Sequence, residues 1–187
     1  QHISAGGIAI STTVNSGGIL AVTSGGSATN VTQLAGGALV ANIGTGIDSF
    51  VGGTNESGAF AVSGAQASNV ILNSGGRLNI SAGGIASSTI VNNGGAIYVS
   101  SGGSSYYTQI KSGGNEYILS GGYGPSATIS SGGTQTISFG GIDSGSTIQA
   151  GGTQIVGGVA QAASISGTQH ISAGGIASST IVNNGGA

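Results

Sequence analysis

Few residues in this chain could do chemistry. Six of its 187 residues carry a fixed charge: Asp48, Glu56, Arg77, Lys111, Glu116 and Asp143. General acid–base work needs two groups converging on one substrate. Glu116 and Asp143 fall on different strand columns and in different coils of the repeat described below, so both read as surface charges. Asp48 and Glu56 fall in an irregular stretch and read as loop residues. A metal site needs several converging ligands, whereas His2 and His170 hold equivalent repeat positions at opposite ends of the chain. Calcium-binding β-rolls carry an Asp in every repeat, and this chain has two in all. Without cysteine there is no disulfide, thiolate zinc site or cysteine nucleophile. The glycines lack the Lys or strand-to-helix context of a phosphate loop. Two cations cannot form the basic stripe that nucleic acid requires. No apolar run approaches the roughly 20 residues that span a bilayer. The sequence therefore predicts no catalytic residue, no cofactor, no metal and no nucleic-acid partner.

The abundant reactive group is the hydroxyl. Gly, Ser and Thr together make 87 of the 187 residues. The sequons Asn30-Val31-Thr32, Asn55-Glu56-Ser57 and Asn79-Ile80-Ser81 are patterns expected by chance in such a composition. Serines that precede paired glycines recur more regularly. Ser74, Ser112, Ser131, Ser16, Ser24 and Ser120 are candidate O-glycosylation sites, because a turn exposes each at a repeated local geometry.

Those turns follow a strict spacing. The first glycines of the pairs at 75, 83, 94, 102, 113, 121, 132, 140 and 151 alternate in steps of 8 and 11. The repeat is 19 residues with two glycine corners, the mark of a solenoid. Collagen is excluded, because Gly does not recur every third residue. Paired glycines this close also leave no room for helices. After one corner the fourth position is aliphatic: Val22, Ile80, Val99, Ile118, Ile137, Val156 and Ile171. After the other, the fifth position holds Thr12, Val31, Thr89, Thr108, Ala127 and Ser146. The seventh holds Val14, Val91, Ile110, Ile129 and Ile148, with Gln33 as the exception. This two-residue alternation predicts parallel strands stacked about 4.8 Å apart. About ten coils then give an all-β rod, a parallel β-helix roughly 45–50 Å long. Asn15, Asn73, Asn92 and Asn183 should form one amide ladder, and Gln135, Gln154 and Gln169 another. The chain is expected to be a single β-helix over 1–187, a fragment of a longer one, with irregular coils at 38–74 and 153–168. Residues 78–96 and 169–187 match at all but two positions, Leu78/Gln169 and Asn79/His170.

The unit from Asn73 to Val91 resembles the 19-residue repeat of AIDA-type self-associating autotransporter adhesins, as do Gly25–Thr32, Gly36–Val40 and Gly58–Val62. The resemblance implies a right-handed parallel β-helix that is the secreted passenger of a Gram-negative bacterium. It implies display at the cell surface through an outer-membrane C-terminal β-barrel lying outside this chain. It also implies self-association with identical passengers, cell aggregation, adhesion to a host-cell receptor, biofilm formation and heptose added to Ser or Thr by a dedicated glycosyltransferase. Tyr106-Tyr107, Tyr123 and Pro125 depart from the family's Ala/Thr pattern. A second reading is a purely structural or ice-binding solenoid. Ice binding needs an unbroken Thr array, and the outward column reads Thr13, Thr32, Ile90, Gln109, Thr128, Thr147 and Ile181.

Overall fold

The computed structural model describes residues 1–187, which form strands and turns without a helix. The chain winds into a parallel β-helix of about ten turns. One regular coil consists of the strands Arg77–Ile80, Ile85–Ser87 and Ile90–Val91. Each pairs in parallel with its equivalent one repeat on: Leu78 with Ile97, Ala86 with Ser105, Val91 with Ile110. Stacking gives three faces. The first is a nine-stranded sheet running from His2–Ile3 to Thr168–Ile171. The second joins an eight-stranded and a three-stranded sheet through single bridges from Tyr123 to Ser104 and Ile142. The third holds seven strands.

The glycine corners stack as the spacing requires. The Gly75 N–H donates to the Gly94 carbonyl at 3.2 Å, Gly94 to Gly113 at 3.0 Å and Gly113 to Gly132 at 2.8 Å. The first glycine of each regular pair has positive φ, for example 74° at Gly94, which a side chain adopts only with strain. The second glycine has a different constraint. A Cβ on Gly95 would lie 2.2 Å from the Leu72 carbonyl oxygen of the coil below. One glycine makes the turn and the other lets the next coil approach.

The structure has a third bend that the glycine spacing does not reveal. Ser11, Asn30, Asn69, Ser88, Tyr107, Ser126, Ala162 and Ser179 all have φ between 52° and 63°, and Gly145 takes the equivalent place. This left-handed residue separates the second face from the third and breaks the two-residue alternation. Ala86 points inward, and the next inward residue is Thr89. Ser and Asn tolerate this conformation better than most residues, so no glycine marks it.

Two stretches depart from the regular coil. Between Ile43 and Ile71, one coil places three strands on the second face where others place one: Phe50–Asn55, Gly58–Ser63 and Gln66–Ser68. They pair antiparallel, Asn55 opposite Gly58 and Ser63 opposite Gln66, in a fold otherwise parallel. Glu56 and Ser57 form the first turn, where the Asn55 side chain accepts the Ser57 N–H at 2.9 Å. On the third face this detour leaves a gap that Gln33 fills. Its buried amide donates to the carbonyls of Gly37 and Ile71 at 2.8 and 2.9 Å. The second departure is a contraction. Gly157 and Gly158 both donate to the Ile137 carbonyl, and Ser166 and Gly167 both donate to that of Ile148. These corners lack the positive-φ glycine, and Thr153 consequently pairs with Thr168.

The two roles of glycine are separable by mutation. Gly6→Ala, where φ is 77° and nothing lies within 4 Å of the new Cβ, should cost about 1 kcal/mol. Gly95→Ala should cost at least about 3 kcal/mol, because a backbone carbonyl must move and its ladder bond weaken. Urea unfolding of the two variants checks this; equal losses would refute the distinction.

Candidate functional site

Buried polar groups are costly and need partners, so an inward polar residue is the least expected kind in this fold. The N-terminal half has one apolar cluster of 22 buried residues, from Ile3 to Val99. In the C-terminal half the apolar core divides. Ile110, Ala127, Ile129, Ile148, Ala163 and Ile165 form one group, and Ile118, Ile137, Val156 and Ala160 another. A row of polar side chains enters this half of the core.

Glu116 and Asp143 belong to that row, which corrects their expected place at the surface. Both are 0% exposed. Glu116 follows Leu78 and Ile97 in an inward column of the first face that continues through Gln135, Gln154 and Gln169. Asp143 occupies the inward second-face position held by Ala160 in the next coil. The placement of Glu116 was readable: it lies two residues before Ile118, in the same inward phase. Asp143 was hidden by the third bend, which shifts the phase after the second-face strand.

Every carboxylate oxygen in this row accepts a hydrogen bond. Ser105 donates to Glu116 Oε1 at 2.8 Å, and Gln135 Nε2 to Glu116 Oε2 at 2.9 Å. The same Gln135 nitrogen reaches Asp143 Oδ1 at 3.2 Å, where Ser146 also donates at 2.6 Å. Gln154 donates to Asp143 Oδ2 at 3.0 Å and to Gln135 Oε1 at 2.6 Å; Gln169 donates to Gln154 Oε1 at 2.7 Å. The Gln ladder thus runs along the rod as expected, but inside it. The Asn ladder is partly realised: Asn92 donates to Asn73 at 2.8 Å, while Asn183 donates to Ser164.

Burial without a cation raises both acids. Desolvation pushes Glu116 up to about 7 against the opposing bonds from Gln135 and Ser105, with repulsion from Asp143 adding to the rise. Desolvation likewise pushes Asp143 to about 6, against the bonds from Ser146, Gln135 and Gln154. None of the surface depressions is lined by either acid; all are lined by residues between Gln1 and Glu56. The buried pair therefore lines no depression in which a substrate could sit, and its effect is on stability.

The remaining candidates lie outside. Ser16, Ser24, Ser74, Ser112, Ser120 and Ser131 are exposed, each directly before a positive-φ glycine. The hydroxyls of Ser16, Ser74, Ser112, Ser120 and Ser131 lie over the bare Cα of a glycine one coil on, within 2.8 Å of where its Cβ would stand. Asp48 lies in a loop, Glu56 in the turn of the antiparallel excursion, and His2 and His170 are exposed on the first and last coils. Thr13, Thr32 and Thr147 of the outward third-face column are exposed, and Thr128 is half-buried. The first face carries a stack: Tyr98 and Tyr117 lie 4.9 Å apart, with the Arg77 guanidinium 4.8 Å from the Tyr98 ring centre. The rings cover each other, so this stack braces the sheet rather than offering open faces.

Fold and surface together define a stalk: a repetitive, nearly uncharged rod. The AIDA family model, "Adhesin of bacterial autotransporter system, probable stalk", matches residues 52–114. Among solved structures, a crystal structure of a TibC-catalysed, hyper-glycosylated TibA fragment is similar. It has a TM-score of 0.67 and 36% identity, covering 100% of this chain and 76% of that one. No curated protein sequence matches. The chain belongs to the AIDA-type autotransporter adhesins and is part of their passenger.

The buried acids make a signed prediction about pH. Each has a folded pKa above its ordinary value, so between about pH 4 and 7 the folded state binds more protons than the unfolded one. Stability is greatest below the unfolded values and falls as pH rises through the folded ones. The Glu116 shift from 4.5 to about 7 corresponds to a loss of about 3 kcal/mol. Thermal melts should show a lower Tm at pH 8 than at pH 5. In Glu116→Gln, which extends the amide ladder, most of that difference should vanish. A Tm that rises between pH 5 and 8 would refute the assignment.

Proposed function

We propose that this chain is a surface-displayed adhesive rod that associates with identical rods on neighbouring Gram-negative cells, causing aggregation and biofilm growth. Family membership supports the adhesive role, and the observation that carries self-association is the surface. All but six residues lack a fixed charge, two of the six are inside, and the exposed columns repeat along the rod. Like rods therefore repel weakly. A single polar contact contributes only about 0.5–1.5 kcal/mol, yet contacts repeated along two rods act as one multivalent interface. The internal Gln column contributes nothing to such contacts. A host-cell receptor is a further partner within this reading, and anchorage comes from a β-barrel outside the chain.

The same reading includes O-glycosylation by a heptosyltransferase, supported by the hyper-glycosylated TibA fragment to which the chain is similar. The proposed acceptors are Ser74, Ser112 and Ser131, in one corner column that Asn93 interrupts between the first two, together with Ser16, Ser24 and Ser120. Each presents its hydroxyl on an exposed turn of the same form, so one enzyme can read every coil.

Cells displaying the full passenger should settle faster than cells without it, and about equally in 50 and 500 mM salt, because uncharged contacts are little screened. Settling that collapses at high salt would exclude this mode of association. Glycopeptides from material made with the transferase should carry sugar on the corner serines. Sugar mainly on Thr89 and Thr108, whose side chains point inward, would overturn the acceptor assignment.

A further inference from the structure

The three faces differ in what they show to water, and the second carries an apolar column beside a mostly polar one of Ser87, Tyr106, Ser144, Gln161 and Ser178. Its first outward column is continuous through backbone pairing along the rod. From the middle of the rod onward it reads Ile85, Ser104, Tyr123, Ile142, Val159 and Ile176, with one polar residue in six rungs. Ile85, Ile142 and Ile176 are 44%, 42% and 57% exposed, and Ile8 at the other end of the column is 73% exposed. Tyr107, also largely exposed, stands at the edge of this face in the strained left-handed bend where other coils place Ser, Asn, Ala or Gly. Over the same length the third face shows Ile90, Gln109, Thr128, Thr147, Ser164 and Ile181, and the first shows Asn79, Tyr98, Tyr117, Thr136, Ile155 and His170.

The second face is also free of charge from Ile85 onward. Arg77 is on the first face, Lys111 follows the third-face strand, Glu116 and Asp143 are internal, and Asp48 and Glu56 precede Ile85. Nothing on this stripe repels an identical stripe, and nothing on it pairs with a charged partner. Its apolar side chains recur at the coil spacing of about 4.8 Å, which another copy of the same rod reproduces in either direction. Six rungs about 10 Å wide give about 300 Å² per copy, or about 600 Å² for a pair. That is below the area of a stable specific interface, so the contact is weak over this chain alone and adds along a longer passenger.

We infer that the second face is the surface through which two copies of this chain pair side by side, with the Ile85–Ile176 stripe of one rod against that of the other. This rests on the self-association proposed above and specifies where it occurs.

The test uses the full passenger displayed on cells. Ile85→Lys with Ile142→Lys should slow settling at least tenfold, while Thr128→Lys with Thr147→Lys on the third face should settle like the unaltered passenger. Because the chain has no cysteine, a single Ser104→Cys should trap disulfide-linked pairs under mild oxidation and Thr128→Cys should not. This readout does not depend on the lysine variants folding. Ile variants that settle normally, or cross-linking through Thr128→Cys and not Ser104→Cys, would overturn the assignment while leaving self-association standing. Lipid-vesicle binding that the Ile variants lose while settling persists would assign the stripe to a membrane surface and overturn it equally. Failure of the unaltered passenger to settle cells at all would remove the self-association reading first, and this one with it.

Discussion

The distance between coils governs this structure. Parallel backbone hydrogen bonds set it at about 4.8 Å, and every other feature must fit within it. At the corners the limit falls on atoms: Gly95, Gly114 and Gly122 sit so close to a carbonyl below that a Cβ would lie 2.2–2.3 Å from its oxygen. In the core, the same spacing lets one side-chain amide reach the next, as from Gln154 to Gln135. On the outside it repeats each surface position along the rod, so a weak property of one coil becomes a property of the whole face.

The interior shows how such a repeat tolerates polar groups. A thin core has little apolar area per coil, and two buried acids would ordinarily be a severe load on it. Here the load is spread over neighbouring coils: Gln135 serves both acids, and Gln154 serves Asp143 and Gln135. Burial out of water raises both acids and no cation joins them to offset it, so they hold their protons to higher pH than usual. The two halves of the rod therefore reach stability differently, the first through a continuous apolar cluster and the second through smaller clusters around a hydrogen-bonded row.

The regular coil was legible in the sequence because glycine is the residue most tightly required there, and its 8/11 spacing survives as a pattern. The inward aliphatic positions, from Val22 to Val156, were legible for the same reason. The third bend was not, because Ser88 and Asn69 occupy a left-handed position without being diagnostic of it. The antiparallel excursion at Phe50–Ser68 was visible only as a loss of order, since antiparallel strands have no corner signature of their own. The exposed serines were found by their turns, while the Ile stripe was missed. Ile85 and Ile142 read as strand residues, and the face each takes depends on counting from a bend the sequence does not mark.

The excursion has a consequence for the shape of the rod. Two additional strands stand on the second face at a level where the first face has none, and at about 4.8 Å each they add roughly 10 Å of height to one side. A three-sided tube with one wall taller than the others behaves like an arch with a keystone: the wall bows outward or the axis turns away from it. The two contracted corners, at Gly157-Gly158 and Ser166-Gly167, remove residues from coils at the opposite end and narrow the tube there. A stalk built this way is not a straight, uniform pole. Its walls differ in the number of rungs they stack, and its coils differ in length from one level to the next.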